Sequence, residues 1–264
     1  MEAREGLQDV TQFTQGESGA ARWLRSLPVF PDSIERYGDD PRQFIEWYGA
    51  EDAKPICFLH GGRFLTDNAI ATTRPAARAL AQAGYRVALP SCRLEPGRPE
   101  LVANDSHTLA QHEVLKDAVW IGHDAGGTWA LNVVVAPELG PVEAILLAPI
   151  VDLARDMRED PEYDTGKTYR WIGGTPEELP DRYALYDPIF NYYQLGHAKY
   201  CAHELSVEII HGTADETIPV ERSRDLRSEP FNLAIVEGAN HIDLIRPDHD
   251  AWVYLLGALA SLED

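Results

Sequence analysis

The stretch that decides the fold is DAVWIGHDAGGTWALNVVV, residues 117–135. Its first part, 117–124, is a short apolar run, which predicts a buried strand. Its second part, 125–135, is interpreted as the helix that follows. Small residues on both sides of Asp124 permit a turn sharp enough to push this aspartate out over the end of the sheet. Aspartate is also a favoured residue for capping a helix, so a plain helix cap is the alternative interpretation of Asp124.

The same alternation of strand and helix extends along the chain. Further strands are predicted at 43–49, 54–62, 85–90, 142–149, 206–212 and 231–238, and further helices at 21–27, 72–84, 100–113, 220–228 and 249–262. This order predicts an α/β fold with a mostly parallel central sheet flanked by helices on both faces. We expect one domain over residues 1–264. Within it, the tyrosine-rich segment 150–204 breaks the rhythm and is predicted to be a small cap insertion, and the polar segment 1–20 is predicted to be loose.

Composition limits the classes of function. Acidic residues outnumber basic ones by 43 to 23, and the resulting formal charge of −20 argues against nucleic-acid binding. No window approaches the ~18 consecutive apolar residues of a membrane span, and the first residues lack the apolar core of a signal peptide. Three cysteines without regular spacing predict neither a disulfide framework nor a zinc site. We therefore expect a cytoplasmic protein that binds a small-molecule substrate, without metal or cofactor; its oligomeric state is left open.

Chemically active side chains follow the ends of several predicted strands. In a parallel sheet, ligands bind beyond the carboxyl ends of the strands. The residues at these positions are His60, Gly61 and Gly62 at the end of 54–62, Asp124 at the end of 117–124, Asp215 after 206–212, and His241 after 231–238. The order 124, 215, 241 is the chain order of nucleophile, acid and histidine in a catalytic triad on such a sheet.

On these motifs the chain resembles α/β-hydrolases of the esterase group that carry a His-Gly-Gly loop, and is most similar to the kynurenine formamidase (arylformamidase)-like branch. The stretch RYGDDPRQFIEWYGAEDAKPICFLHGG, residues 36–62, adds to the likeness, which covers roughly 36–260. The resemblance implies a hydrolase acting on a small, partly aromatic or apolar substrate. It also implies residue roles: Asp215 as triad acid, His241 as base, the N–H groups of Gly61, Gly62 and Ala125 as oxyanion hole, and His60 as the residue that positions the loop.

The departure from the family lies at residue 124, where the esterases carry serine. Asp124 could be a nucleophile that attacks saturated carbon, after which His241 activates water to cleave the resulting ester. Haloalkane dehalogenases and epoxide hydrolases of this fold carry Asp at this position, although their oxyanion loop differs from His-Gly-Gly. Asp124 and His241 could instead act as general base beside the oxyanion hole, in an isomerase, epimerase or lyase. The third possibility is a catalytically silent ligand-binding homologue or a Ser-to-Asp variant of an esterase.

Overall fold

The computed structural model describes residues 18–62, 64, 69–159, 166–196, 205–226 and 230–262. Within these residues, eight strands form one sheet in the order β1-β2-β4-β3-β5-β6-β7-β8. The strands are β1 Ser33–Arg36, β2 Phe44–Tyr48, β3 Lys54–Leu59, β4 Tyr85–Ser91, β5 Val119–His123, β6 Glu143–Leu147, β7 Ser206–Gly212 and β8 Phe231–Val236. Strand β1 pairs with β2 and β2 pairs with β4 in antiparallel fashion. All other neighbouring pairs of the sheet are parallel. The predicted mostly parallel sheet is confirmed.

Strand β1 was not predicted from the sequence. Its four residues, SIER, are all exposed and include one apolar side chain, so neither alternation nor an apolar run marks them. They form a strand because they pair with β2 at the edge of the sheet. The Trp47 indole Nε1–H also donates to Glu35 Oε2 at 2.8 Å and ties the two strands together.

The helices cover both faces of the sheet. They are α1 Gly19–Ser26, α2 Ala69–Gln82, α3 Pro99–Ala110, α4 Ala125–Val135, α5 Leu153–Glu159, α6 Lys167–Ile172, α7 Pro180–Tyr186, α8 Pro188–Asn191, α9 Glu221–Arg224 and α10 Trp252–Ser261. A π-helical turn spans Tyr192–Gly196 and a 3-10 turn spans Asp243–Ile245. None of the helices found in the described ranges is both long and apolar enough to cross a membrane.

Helix boundaries differ from the sequence predictions at the ends of elements. The last helix starts at Trp252 instead of 249 because a turn precedes it, in which His249 Nδ1 accepts the Ala251 N–H at 3.1 Å. The helix predicted at 220–228 is a single turn, Glu221–Arg224, and residues 227–229 lie outside the described part. Helix α1 begins at Gly19, so the last two residues of the segment predicted to be loose, 1–20, are helical; 1–17 lie outside the described part.

Two apolar cores lie on the two faces of the sheet. Alternate residues of β3 belong to different cores, with Cys57 and Leu59 in one and Ile56 and Phe58 in the other. The first core includes residues of α3, α4 and the segment between β6 and β7. The second includes residues of α1, α2 and α10. Because both faces are covered, the interior strands are largely buried on both sides.

The segment predicted as a cap, 150–204, lies between β6 and β7 and contains α5 to α8; its residues 160–165 and 197–204 lie outside the described part. It packs against α4 through side-chain amides. Asn132 Nδ2 donates to the Tyr186 carbonyl, and Asn191 Nδ2 donates to Asn132 Oδ1, both at 2.9 Å. Arg182 Nη1 joins the segment to the loop before α3 by donating to the Gly97 carbonyl at 3.0 Å.

Candidate active site

Asp124 lies at a sharp turn between β5 and α4. Its backbone has φ 56° and ψ −121°, a left-handed conformation that costs a non-glycine residue about 1–3 kcal/mol. Backbone hydrogen bonds hold this conformation on both sides: the Asp124 N–H donates to Leu147 O at 3.1 Å, and its carbonyl accepts from Gly127 N at 3.0 Å and Ile150 N at 3.2 Å. The side chain does not cap α4. The turn therefore presents the carboxylate beyond the sheet, as the first interpretation of this stretch predicts.

Glycines around the turn permit the close approach of three backbone segments. A Cβ on Gly126 would overlap the Leu59 carbonyl oxygen, so only glycine lets α4 start against the end of β3. A Cβ on Gly61 would lie 2.9 Å from the Cβ of Asp124, so glycine is needed there for the loop after β3 to pass the carboxylate. These contacts explain why small residues surround Asp124 in the sequence.

The loop after β3 binds the Asp124 carboxylate directly. The Gly62 N–H donates to Asp124 Oδ2 at 2.9 Å. The His60 Nδ1 lies 2.8 Å from the Gly61 carbonyl and donates to it, since a carbonyl oxygen can only accept. Burial lowers the pKa of His60, which keeps its ring neutral. His60 thus fixes the backbone of the loop. The third predicted oxyanion residue, Ala125, is the first residue of α4 and is fully buried.

Asp215 and His241 form a hydrogen-bonded pair at the ends of β7 and β8. His241 Nδ1 lies 2.8 Å from Asp215 Oδ2. The other oxygen, Asp215 Oδ1, accepts the backbone N–H groups of Thr217 and Ile218, each at 2.8 Å. Because Asp215 binds the Nδ1–H group of His241, the ring can take up a further proton at Nε2.

His211, within β7, is a partner of Asp215 that sequence reasoning missed. Its Nε2 lies 3.3 Å from Asp215 Oδ2, and its Nδ1 lies 2.7 Å from Ser223 Oγ. Although burial alone would raise the pKa of Asp215, the hydrogen bonds from His211 and His241 hold it well below the usual range of aspartate. Asp215 is therefore ionised at neutral pH and stabilises a positive charge on His241.

His123 is a second functional neighbour that the sequence did not single out. Its ring packs against His241, with centroids 4.5 Å apart, and its Nε2 lies 3.1 Å from the His241 carbonyl. Burial, together with the nearby His241, lowers the pKa of His123 to about 4. The neutral ring donates Nε2–H to that carbonyl and holds the loop of His241. In the sequence, only its position directly before Asp124 indicates that His123 belongs near the site.

The structure brings all the predicted site residues to the side of the sheet where the carboxyl ends of the parallel strands lie. Asp124 is 2 % exposed and His241 is 6 % exposed, so both side chains are largely shielded from water. The elements that place them are the strand ends of β3, β5, β7 and β8, which follow from the parallel topology. A carboxylate, an Asp–His pair and backbone N–H donors together can support a covalent intermediate and activate water.

No family model matches the sequence, and no curated protein matches it as a relative. Solved structures do resemble it. Esterase 2 from the planctomycete Thermogutta terrifontis, with propionate bound, is 21% identical at a TM-score of 0.58, over 88% of this chain and 92% of that one. Esterase B from Lactobacillus rhamnosis is 14% identical at a TM-score of 0.68, over 92% and 89% of the chains. A thioesterase candidate from a Silicibacter species is 19% identical at a TM-score of 0.66, over 91% and 90%.

These likenesses extend over nearly the whole chain. The chain has the α/β-hydrolase fold. At this level of identity the likeness establishes the fold alone, so the activity is argued from the site below.

Proposed function

We propose that the protein is a hydrolase in which Asp124 is the nucleophile and forms an ester with a saturated carbon of its substrate. The observation that carries this proposal is the hydrogen bond from the Gly62 N–H to Asp124 Oδ2 at 2.9 Å. This bond holds Oδ2 at the loop after β3, and in our proposal the other oxygen, Oδ1, makes the attack. The esterase likeness of the fold and the Asp215–His241 pair support a hydrolytic second step.

The first step displaces a leaving group from carbon. Asp124 Oδ1 donates an electron pair to the saturated carbon of R–X, the C–X bond breaks, and X leaves with its bonding pair as an anion. The product is Asp124–CO–O–R. An ionised carboxylate needs no base for this attack, and partial exclusion of water removes the hydration shell that would weaken it.

The second step hydrolyses the ester. His241 Nε2 takes a proton from water, and the hydroxide oxygen attacks Cγ of Asp124. The negative charge that develops on Oδ2 is stabilised by the Gly62 N–H, which already binds that atom. Collapse breaks the Cγ–Oδ1 bond, and the alkoxide takes the proton from His241 and leaves as R–OH. The balance is R–X plus water to R–OH, a proton and X⁻, with Asp124 restored.

The same contact also favours a second candidate, a serine-esterase site silenced by the aspartate. In an esterase the oxyanion loop must receive the carbonyl oxygen of the substrate. Here Oδ2 of Asp124 occupies one of its donors, Gly62. In this case the chain turns over none of the substrates below, and an Asp124→Ser variant hydrolyses aryl esters and formanilides, the substrates expected from the arylformamidase-like resemblance.

The route is tested by isotope labelling. Benzyl chloride and styrene oxide, which offer a saturated carbon, are screened first, and any substrate that is turned over is incubated in ¹⁸O-water with enzyme in excess. We expect the ¹⁸O to appear in the peptide that contains Asp124, while the first alcohol released carries ordinary oxygen from Oδ1. Direct attack by water on the substrate gives the reverse pattern, with a labelled alcohol and unlabelled Asp124, and would contradict the covalent route.

Two variants provide the controls. Asp124→Asn removes the negative charge of the nucleophile and should abolish both turnover and labelling. His241→Gln should leave the first step possible but stop ester hydrolysis, so the intact protein gains the mass of R at Asp124. A His241→Gln protein that turns over normally, or that never gains this mass, would remove the ester from the mechanism.

A further inference from the structure

Ser223, on the single-turn helix α9, binds the ring of His211 through Nδ1, the nitrogen that does not face Asp215. Its Oγ lies 2.7 Å from His211 Nδ1. The serine is 1% exposed and the histidine is fully buried, so water does not compete for this bond. Among the described residues, this is the only hydrogen bond that the Ser223 hydroxyl makes. The state of the His211 ring is therefore tied to this hydroxyl.

The hydrogen bonds around His211 define which of its ring nitrogens carries a proton. Nε2 lies 3.0 Å from the Ile218 carbonyl oxygen, which can only accept, so Nε2 is protonated. On the other side of the ring, the hydroxyl hydrogen of Ser223 has no acceptor except Nδ1 within the described part of the chain. A second proton on Nδ1 would leave that buried hydrogen unpaired, which costs stability. The ring is therefore neutral, with its proton on Nε2, and the Ser223 hydroxyl donates to Nδ1.

The Nε2–H group of His211 faces two oxygens of the loop that carries Asp215. Besides the Ile218 carbonyl, it lies close to Asp215 Oδ2, at 3.3 Å, and this is the oxygen bound by His241 Nδ1 at 2.8 Å. The Ile218 N–H in turn donates to Asp215 Oδ1 at 2.8 Å. The ring therefore closes the loop from Asp215 to Ile218. In the other neutral tautomer, an unprotonated Nε2 would face a carbonyl and a carboxylate oxygen, and the repulsion would displace Asp215 from His241.

Helix α9 is too short to be stable alone and is anchored to α5 by ion pairs. Arg222 Nε lies 3.0 Å from Asp156 Oδ1, and both side chains are at most 10% exposed. A more exposed pair joins α5 to the end of α9, with Arg155 Nη2 at 2.6 Å from Asp225 Oδ2. These pairs fix α9, and with it the hydroxyl of Ser223, against the segment between β6 and β7.

We propose that Ser223 is a positioning residue for the acid–histidine pair, because its hydroxyl selects the tautomer of His211 that turns Nε2–H towards Asp215. Asp215 is thereby held with Oδ2 at His241 Nδ1, the orientation in which His241 takes up a proton at Nε2. This inference rests on the role of Asp215 and His241 in the proposed hydrolysis of the Asp124 ester. Ser223 acts on that step only through the ring of His211.

The first test determines the protonation of the His211 ring by NMR of protein labelled with ¹⁵N at histidine, and it needs no substrate. Protonated and unprotonated ring nitrogens differ in ¹⁵N shift, and the ring is assigned by its proximity to the protons of Ser223. At pH 7.5 we expect Nε2 to be protonated and Nδ1 to be unprotonated. A wild-type ring with its proton on Nδ1, or with protons on both nitrogens, would overturn the proposal, whether or not any variant folds.

Removing the hydroxyl tests whether Ser223 selects this tautomer. In Ser223→Ala we expect protonated Nδ1 to appear in the His211 ring. The ¹H signal of His241 Nδ1–H, which its bond to Asp215 moves downfield, should shift back or disappear. Ser223→Thr retains the hydroxyl and should keep both wild-type signals. An unchanged His211 ring and an unchanged His241 signal in Ser223→Ala would contradict the proposal.

Ser106→Ala is the matched control. It removes the hydroxyl of another buried serine in a helix, α3, whose Oγ has no hydrogen-bond partner among the described residues. This variant should leave the signals of His211 and His241 as they are in the wild type. The same changes in Ser106→Ala as in Ser223→Ala would show that they follow from any lost buried hydroxyl, and would remove the specific role of Ser223.

A kinetic measurement separates this proposal from the proposed function. With a substrate that alkylates Asp124, Ser223→Ala should form the ester at the wild-type rate but hydrolyse it roughly tenfold more slowly, the scale of one hydrogen bond to a charged group. Equal slowing of both steps would indicate a general structural defect and would overturn the positioning role. If no substrate forms the ester, the proposed function fails, while the NMR results on the resting protein still decide the role of Ser223.

Discussion

At the scale of single residues, the length of the side chain at position 124 decides whether it can reach the backbone N–H of Gly62. A serine hydroxyl is bonded to Cβ, whereas the oxygens of aspartate lie one bond further out. This extra bond lets Oδ2 reach the Gly62 N–H. The backbone of Asp124 remains in the strained conformation that places a nucleophile beyond the strand end. The strained backbone at Asp124 and the hydrogen bond from the Gly62 N–H to its side chain are therefore present together.

His123 leads to a prediction about pH and stability. Its pKa of about 4 in the folded protein lies below the value of about 6.5 expected for the unfolded chain. Between these values the unfolded state binds more protons, so stability falls as the pH falls from 6.5 to 4, by about 3 kcal/mol in total. A His123→Gln variant keeps an N–H donor for the His241 carbonyl but has no titration. We expect its free energy of unfolding, measured with urea, to fall less across this window.

The comparison between the two proteins isolates His123 from other groups. Burial raises the pKa of Asp187 to about 6, which changes stability in the opposite direction over the same window, but Asp187 is present in both proteins and cancels in the difference. Parallel stability curves for the wild type and His123→Gln from pH 7 to pH 4 would show that His123 titrates normally, and would contradict its burial as a neutral ring.

At the scale of elements, the junction between β3 and α4 depends on glycine. A Cβ at position 126 would meet backbone atoms of Leu59 and His60, which cannot move aside as a side chain could. We expect Gly126→Ala to destabilise the protein by about 1–3 kcal/mol, the usual cost of overpacking, and to reduce activity by displacing Asp124. Thermal and urea unfolding measure the first effect, and turnover measures the second.

Gly257 in α10 offers a matched control for this substitution. A Cβ at this position meets nothing within 4 Å. Alanine is the better helix former, so Gly257→Ala should stabilise the protein by up to about 1 kcal/mol. The two Gly→Ala changes are thus expected to have opposite signs. Similar effects from both would show that the clash at Leu59 is relieved at little cost.

The sequence predicted those elements whose pattern comes from burial. Helix α4 has the predicted bounds, 125–135, and so does β7, 206–212, because buried apolar residues mark the interior of each. The exposed edge strand β1 carries no such pattern and was missed. The positions of the site residues after strand ends were also predictable. The contacts of His123 and His211 were not, since they depend on the packing of neighbouring strands and loops that a single sequence does not reveal.

At the scale of the whole molecule, the two apolar cores and the acidic surface act against each other. The cores on both faces of the sheet favour compaction. The formal charge of −20 opposes it, since folding brings 43 acidic groups onto a smaller surface with only 23 basic ones. Salt weakens this repulsion because the distance over which charges interact falls from about 30 Å at 0.01 M to about 8 Å at 0.15 M.

Added salt should therefore stabilise the protein. Screening also weakens exposed ion pairs such as Arg158–Glu177, but each of these contributes only about 0–1 kcal/mol, less than the collective repulsion of some twenty excess charges. We expect the melting temperature at pH 7.5 to rise by roughly 5 °C when NaCl is raised from 10 to 150 mM. Near the isoelectric point of about 4.7 the net charge vanishes, so the same addition at pH 5 should have little effect. An equal rise at both pH values would mean that the salt acts through hydrophobic burial or ion binding and not through the net charge.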